Sequence, residues 1–422
     1  MSSFRFLHAA DIHLDSPLRG LSKVEGFAAD RVRQAPREAL SNLVTTAIER
    51  DADFMVIAGD LYDGDWRDFN TGLFFVKEMA RLTNAGIRVF VLYGNHDAES
   101  RLTKSLTLPE GVRVFSSRKP ETIHLEGHGV VLHGQSFHHA ETRDDLSKDY
   151  ATPVKGAFNI GVLHTALGGT EGHANYAPCS LGDLVAKGYD YWALGHVHKG
   201  GILNEHPHIV FPGNLQGRHV RESGAKGARL VTVTDGAVSA VEFVGCDVVR
   251  WDRLEIDLTD CARLHDVYAR MQKAIEDAAT KAEDRLLACR IELRGQVHLH
   301  ANLAASRDEL QAEARAAALR LGEDVASIEK VILATTPRLS REAVAARQDA
   351  LGELAGLLAR ACHDPALLDR LVTDLGTLVS KLPSELKETA DDALTQAVLK
   401  QDYEGAVRQS VDHLLAQLAG QE

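Results

Sequence analysis

The chain has 422 residues, too many for one typical hydrophobic core, so two or three domains are expected. Sixty acidic against 47 basic residues leave a formal net charge of −13. That argues against a broadly basic, DNA-coating surface, yet it leaves room for a nucleic-acid substrate where bound cations reverse the local field.

No apolar run approaches the roughly 18 residues a membrane span needs. The start, Met1 to His8, lacks the basic and then long apolar pattern of a leader. A cytoplasmic protein with no membrane partner is expected. The five cysteines (Cys179, Cys246, Cys261, Cys289 and Cys362) are odd in number and never spaced as CxxC. They indicate neither a disulfide framework nor a thiolate zinc site.

In chain order, Phe4 to Ala9 reads as a first strand running into Asp11-Ile12-His13. Asp30 to Arg50 has a helical stripe of Leu40, Leu43, Val44, Ala47 and Ile48. Phe54 to Ala58 is a second buried strand, followed by Gly59-Asp60-Leu61-Tyr62-Asp63, and Thr71 to Asn84 is again amphipathic. Val89 to Leu92 is a third strand, closed by the loop Gly94-Asn95-His96-Asp97. The alternation of strand and helix implies right-handed crossovers and a parallel sheet, hence an α/β fold. Such sheets build their sites at the C-terminal edge of the strands.

Short strand-like pieces fill Val112 to His133. Phe158 to Leu163 leads directly to His164, and Tyr191 to Leu194 leads to Gly195-His196-Val197-His198. Residues 200–244 look antiparallel, and the first domain is expected to cover residues 1–250. Residues 251–336 read as a small β-α-β-α-β domain, with Leu264, Val267, Tyr268, Met271, Ile275 and Ala278 on one helical stripe and a capping box at Ser306-Arg-Asp-Glu309. Residues 337–422 read as helical throughout. Their stripes are Leu351, Leu354, Leu357 and Leu358; Leu367, Leu368, Leu371, Leu375 and Leu378, stopping before Pro383; and Val407, Val411, Leu414, Leu415 and Leu418. They either pack on each other or await a partner helix.

Seven ligand-type residues stand at strand ends: Asp11, His13, Asp60, Asn95, His164, His196 and His198. Divided between two cations, with Asp60 as the bridge, they fill both sites and leave room for water. Two cations about 3.5–4 Å apart can share a hydroxide and clamp both oxygens of an in-line phosphoryl displacement. Mixed nitrogen and oxygen ligands without cysteine favour manganese, iron or zinc and do not choose among them.

These motifs, in this order, resemble the signature of calcineurin-like metallophosphoesterases. The resemblance implies a core of mixed β-sheets with flanking helices, a small α/β cap and a helical tail. One metal would take Asp11, His13, Asp60 and His198, and the other Asp60, Asn95, His164 and His196. His96 would contact phosphate and protonate the leaving oxygen, with Asp97 placed to orient it.

Within that superfamily, Leu7-His-Ala-Ala-Asp-Ile-His-Leu-Asp-Ser-Pro17 and Phe211-Pro-Gly-Asn-Leu-Gln-Gly-Arg-His-Val-Arg-Glu222 are most similar to bacterial DNA-repair exonucleases of the SbcD and YhaO type. Asp63 departs from the archaeal and eukaryotic branch, which has His there. Arg218 and Arg221 are candidates to hold substrate phosphates. The likeness implies 3′-to-5′ hydrolysis of DNA with manganese (Mn2+), a homodimer, and an SMC-like coiled-coil ATPase partner docked on the late helices. A small-molecule phosphodiesterase and a non-catalytic scaffold subunit are the alternatives.

Overall fold

The computed structural model describes residues 3–16, 28–63, 69–99, 106–168, 176–338, 346–361, 363–381 and 393–419. The chain forms two compact units, Met1–Trp251 and Asp252–Glu422.

In the first unit the apolar runs become β1 (Phe4–Ala9), β2 (Phe54–Ala58) and β3 (Arg88–Leu92), parallel neighbours linked through α1 (Ala29–Glu49) and α2 (Phe69–Asn84). After the short α3 (Asn95–Glu99), β4 (Val112–Val114) extends the same sheet. A second sheet is built from β5 (Glu121–Leu125), β6 (Val130–Gly134), β7 (Phe158–His164), β8 (Tyr191–Gly195), β9 (Gly201–Glu205) and β10 (His208–Phe211), with α4 (Leu181–Ala186) before β8. Its order is β5-β6-β7-β8-β10-β9. The chain then returns to the first sheet with β11 (Gly227–Thr234) and β12 (Ala237–Gly245), giving the order β12-β11-β1-β2-β3-β4.

The antiparallel expectation for residues 200–244 holds for every pairing but one. β9 with β10 and β11 with β12 are antiparallel, but β10 lies parallel to β8. The second hairpin crosses to the other sheet, where β11 runs antiparallel to β1.

Side-chain alternation along β2 shows why its sequence is an unbroken apolar run. Phe54, Val56 and Ala58 enter a core shared by both sheets, while Met55 and Ile57 join the core beneath α1 and α2. Both faces are covered, so no polar alternation remains. Between the sheets, the rings of Phe6 and Phe54 stack at 5.0 Å and Tyr191 meets Phe6 edge-on at 5.2 Å. Each such buried aromatic stabilises the sandwich by about 1.5–3 kcal/mol. The strand ends that carry the candidate ligands are thereby held by a stiff double layer.

The strand β13 (Val249–Asp257) begins at the end of the first unit. With β14 (Leu286–Val297) and β15 (Ala326–Pro337) it makes a three-stranded sheet, β14 and β15 being parallel. Val267, Met271 and Ile275 of α5 (Leu264–Ala282) share its core with Leu310 and Ala314 of α7 (Arg307–Leu321). The capping box expected at Ser306 is not made. A further turn, α6 (His300–Ala305), runs up to it, so the Ser306 N–H donates to Asn302 at 3.0 Å and its side chain caps nothing. Its backbone lacks the extended conformation that an N-cap requires.

Among the described residues, four helices follow: α8 (Ala350–Ala361), α9 (Pro365–Lys381), α10 (Ala393–Leu399) and α11 (Tyr403–Ala419). Ala355 and Leu358 pack against Val407 and Val411. Leu357, expected on the same stripe, is 56% exposed instead. The stop expected at Pro383 lies outside the described residues. Among the described residues, no helix is long and apolar enough to cross a membrane.

Candidate metal centre

The site stands beyond the C-terminal ends of strands from both sheets. Asp11 and His13 follow β1, Asp60 follows β2 and Asn95 follows β3. His164 ends β7, while His196 and His198 follow β8. Past the strands the first two loops continue to pair: the N–H groups of Asp11, His13 and Leu14 donate to the carbonyls of Gly59, Asp60 and Leu61 at 3.0, 3.0 and 2.9 Å. Four ligand-type residues sit at positive φ: Asp11 (51°), His13 (47°), Asp60 (52°) and His196 (100°). Such conformations cost about 1–3 kcal/mol each for a residue with a Cβ and persist where the surroundings enforce them. Here the Asp11 carboxylate accepts the His196 N–H, and Asp60 Oδ1 accepts the His96 N–H at 3.0 Å.

Glycines let these loops close. A Cβ on Gly195 would lie 1.9 Å from the Ala58 carbonyl oxygen, and one on Gly59 (φ 98°) would lie 2.2 Å from His164 Nδ1. Neither approach tolerates a side chain.

The predicted ligand types do meet. Three overlapping groups each bring one donor atom per residue within 4.8 Å of one another: Asp11, His13 and His198; His13, Asp60 and His96; Asp60, His164 and His196. Asp60 joins the last two, with Oδ2 4.0 Å from His13 Nε2 and 3.3 Å from His164 Nε2. Asn95 Oδ1 lies 3.0 Å from the same His164 nitrogen. Of the expected ligands, all but His198 are buried.

The ring nitrogens tell what this pocket wants. His164 Nδ1 donates to the Ala58 carbonyl at 2.9 Å, so Nε2 faces two acceptor oxygens, Asn95 Oδ1 and Asp60 Oδ2. His198 Nε2 meets His13 Nε2 at 3.1 Å, with Asp11 Oδ1 4.0 Å away. Lone pairs thus outnumber protons at two adjacent points, and positive charge is required at both. Although burial works against it, the Asp60 charge pushes His164 up to about 9. Asp60 itself is held well below the usual carboxylate range despite its burial, chiefly by His164. Burial, with Arg218 adding to it, brings His13 down to about 3 and keeps it a neutral ligand type; burial lifts Asp11 to about 6. Acceptor oxygens gathered around an inward-facing ring nitrogen make this a pocket that attracts cations. The donor set fits two divalent ions.

His96 stands apart from the buried group, with 39% of its side chain exposed. The expected orienting role of Asp97 is not what the structure shows. Asp97 is buried, and its oxygens accept the N–H groups of Gly94, Leu61 and Tyr62 at 3.0, 3.2 and 2.9 Å, stapling the β2 and β3 loops together. Asn95 already begins a helical turn, which carries the Asp97 carboxylate back toward Gly94 and away from the His96 ring. His96 Nδ1 is instead 3.0 Å from Asp63 Oδ1. Against the effect of burial, that hydrogen bond and the Asp60 charge raise His96 to about 9. Asp63 also accepts from Ser16 Oγ at 2.5 Å and faces His13 Nδ1 at 3.6 Å. The signal for Asp63 was its place three residues after Asp60 on the same loop.

Arg218 and Arg221 differ. Arg221 is exposed, whereas only 16% of the Arg218 side chain is. The Arg218 guanidinium lies 3.0 Å from Glu222 Oε1 and 3.7 Å from Asp63 Oδ2, between the carboxylates that face His198 and His96. Glu222, which the sequence did not single out as a site residue, lies 2.7 Å from His198 Nδ1.

Parallel strands from two facing sheets, delivering this acid, amide and imidazole set to one edge, define a metal-dependent phosphoesterase, and the chain belongs to the calcineurin-like metallophosphoesterase family, whose members hydrolyse phosphoester bonds with divalent metals. The profile of the family described as calcineurin-like phosphoesterase matches residues 4–200, and that of the middle domain of metallophosphoesterase YhaO matches residues 251–336. The chain is 36% identical to the uncharacterized metallophosphoesterase YhaO of Bacillus subtilis (strain 168) over 285 residues, 67% of this chain and 69% of that protein. It is 26% identical to the DNA double-strand break repair protein Mre11 of Methanopyrus kandleri over 211 residues, 46% of this chain and 44% of that one. Among solved structures, TT1561 of Thermus thermophilus aligns with a TM-score of 0.35 at 14% identity, covering 58% of this chain and all of that one.

Proposed function

We propose that this protein is a DNA phosphodiesterase that removes nucleotides from 3′ ends in DNA repair. The observation that carries the reading is the meeting of acceptor atoms at two adjacent buried points, with a half-exposed His96 beside them. When bound by Asp11, His13, Asp60, Asn95, His164, His196 and His198, two divalent cations would lower the pKa of water to supply the nucleophile and offset the phosphate charge.

The chain's own residues do the rest. Asp63 takes the Nδ1–H of His96, fixing the ring and leaving Nε2 to carry the second proton. With its pKa raised to about 9, His96 holds that proton at neutral pH and gives it to the departing oxygen. Asp97 keeps the two loops in register so that His96 and Asp60 stay adjacent.

Likeness to Mre11 supports DNA as the substrate. Manganese, a cytoplasmic setting, a second copy of the chain and an SMC-like coiled-coil ATPase belong to the same proposal and rest on the family resemblance. A second reading, hydrolysis of a small phosphodiester, is favoured by the net charge of −13, which repels a polyanion.

Incubating the protein with Mn2+ and linear duplex DNA labelled at either end, beside bis(p-nitrophenyl) phosphate, separates the two. Progressive loss of the 3′ label supports the proposal. Cleavage of the aryl ester with intact DNA supports the second reading, and inertness toward both leaves only a scaffold.

A further inference from the structure

We propose that Glu222 is a positioning residue that fixes His198 as a ligand, and that Arg218 ties it to the carboxylate holding His96. The proposal rests on the reading of His198 as part of the cation site. The geometry begins at the His198 ring. Its Nδ1 lies 2.7 Å from Glu222 Oε1, while its Nε2 lies 3.1 Å from His13 Nε2. A carboxylate can only accept, so Nδ1 must carry the hydrogen and Nε2 must present its lone pair to the pocket.

Glu222 is itself firmly held. Its other oxygen, Oε2, accepts from Asn214 Nδ2 at 3.0 Å and from the Arg218 N–H at 2.8 Å. Burial would raise its pKa, but His198 and Arg218 keep it well below the usual carboxylate range. The loop bearing His198 is pinned from the opposite side, where Lys226 Nζ donates to the His198 carbonyl at 3.2 Å. Arg218 then spans two carboxylates, Glu222 at 3.0 Å and Asp63 at 3.7 Å. Asp63 is the partner of His96 Nδ1. One guanidinium therefore connects the residue aiming a ligand with the residue aiming the proton donor.

His164 shows the same logic with a different partner. There a backbone carbonyl, that of Ala58, takes Nδ1–H and turns Nε2 inward. Carboxylate or carbonyl partners of this kind set ring orientation and ligand basicity, and losing one typically lowers metal affinity about 10–100-fold. Replacing Glu222 disturbs the His198 side alone, because the His164 side has its own anchor.

The test is calorimetric titration of Mn2+ into the full chain, comparing wild type with Glu222→Gln and Glu222→Ala, together with imidazole 15N shifts of the metal-free proteins. The expected result is two ions in the wild type and, in both variants, one site weakened about 10–100-fold while the other is unchanged. The His198 resonances should move from a single Nδ1–H tautomer toward a mixture. Wild-type affinity at both sites, or a tautomer that does not change, would overturn the positioning role. Equal weakening at both sites with a lowered melting temperature would overturn it too, by showing a merely structural part. A wild-type protein that takes up no Mn2+ would instead overturn the underlying reading of the site. Arg218→Lys should leave both ions bound and slow hydrolysis, because the ion pair with Asp63 slackens; loss of an ion in that variant counts against the proposed division of roles.

Discussion

His8 offers a clean test of how the double sheet is held together. It lies on β1 in the core, wholly buried, with Nε2 3.0 Å from the Leu194 carbonyl and Nδ1 3.0 Å from the Tyr191 hydroxyl. The carbonyl can only accept, so the ring is neutral with its hydrogen on Nε2, and Tyr191 donates to Nδ1. Burial brings its pKa from 6.5 down to about 3. Between those values the unfolded chain binds a proton that the folded chain refuses, so stability falls as pH falls from 6.5 toward 3. Lowering pH to 5 crosses 1.5 of these units at 1.36 kcal/mol each, a loss of about 2 kcal/mol from this one side chain. The measurement is urea unfolding at pH 7.5 and pH 5, in chelator, for wild type and His8→Gln. Tryptophan fluorescence is the probe, because Trp192 and Trp251 are both buried in the first unit. Contributions of other groups cancel between the two proteins. Wild type should lose about 2 kcal/mol more than the variant across that interval. An equal loss would mean that His8 is protonated in the folded state and that the hydrogen-bond assignment is wrong.

Three further outcomes follow from the site. His96→Asn should retain Mn2+ binding and lose hydrolysis by about 10²–10⁴-fold; a wild-type rate in the loaded variant would remove the proton-donor role. Asp63→Asn takes away the charge beside His96, so the imidazolium is lost at lower pH. Allowing for screening at this half-exposed ring, the alkaline limb of the rate profile should move down by about one unit, and an unmoved limb at saturating metal would refute the pairing. Gly195→Ala places a Cβ against the Ala58 carbonyl, which should destabilise the first unit by about 1–3 kcal/mol and weaken Mn2+ uptake. Unchanged thermal unfolding and metal titration would show that the loop yields without cost.

The strands of the first unit were legible because both their faces are buried: Phe54 to Ala58 and Val89 to Leu92 carry no polar interruption. Their ends were legible too, since Asp, Asn or His follows each run within three residues, as Asp60 follows Ala58 and Asn95 follows Leu92. Long-range pairing was not. Nothing in residues 227–234 says that they will lie against β1, more than 200 positions away, because one antiparallel partner suits the β11 pattern as well as another. Side-chain partners within a loop were equally hidden. Asp97 adjoins His96 in sequence, but a helical turn carries neighbouring side chains in different directions, so the more distant Asp63 reaches the ring. Ser306 failed for a related reason: the box pattern was present, yet a preceding helix occupied its backbone.

The candidate metal-binding edge draws from both layers of the sandwich, with Asp11, His13, Asp60 and Asn95 from one sheet and His164, His196 and His198 from the other. Ions gripped there would act as rivets between the layers. At a hundredfold excess over the dissociation constant, one such rivet strengthens the first unit by about 2.7 kcal/mol. Chelation should accordingly loosen the seam at that end of the sandwich first, making amide exchange near β7 and β8 a gauge of metal supply even where no substrate is present.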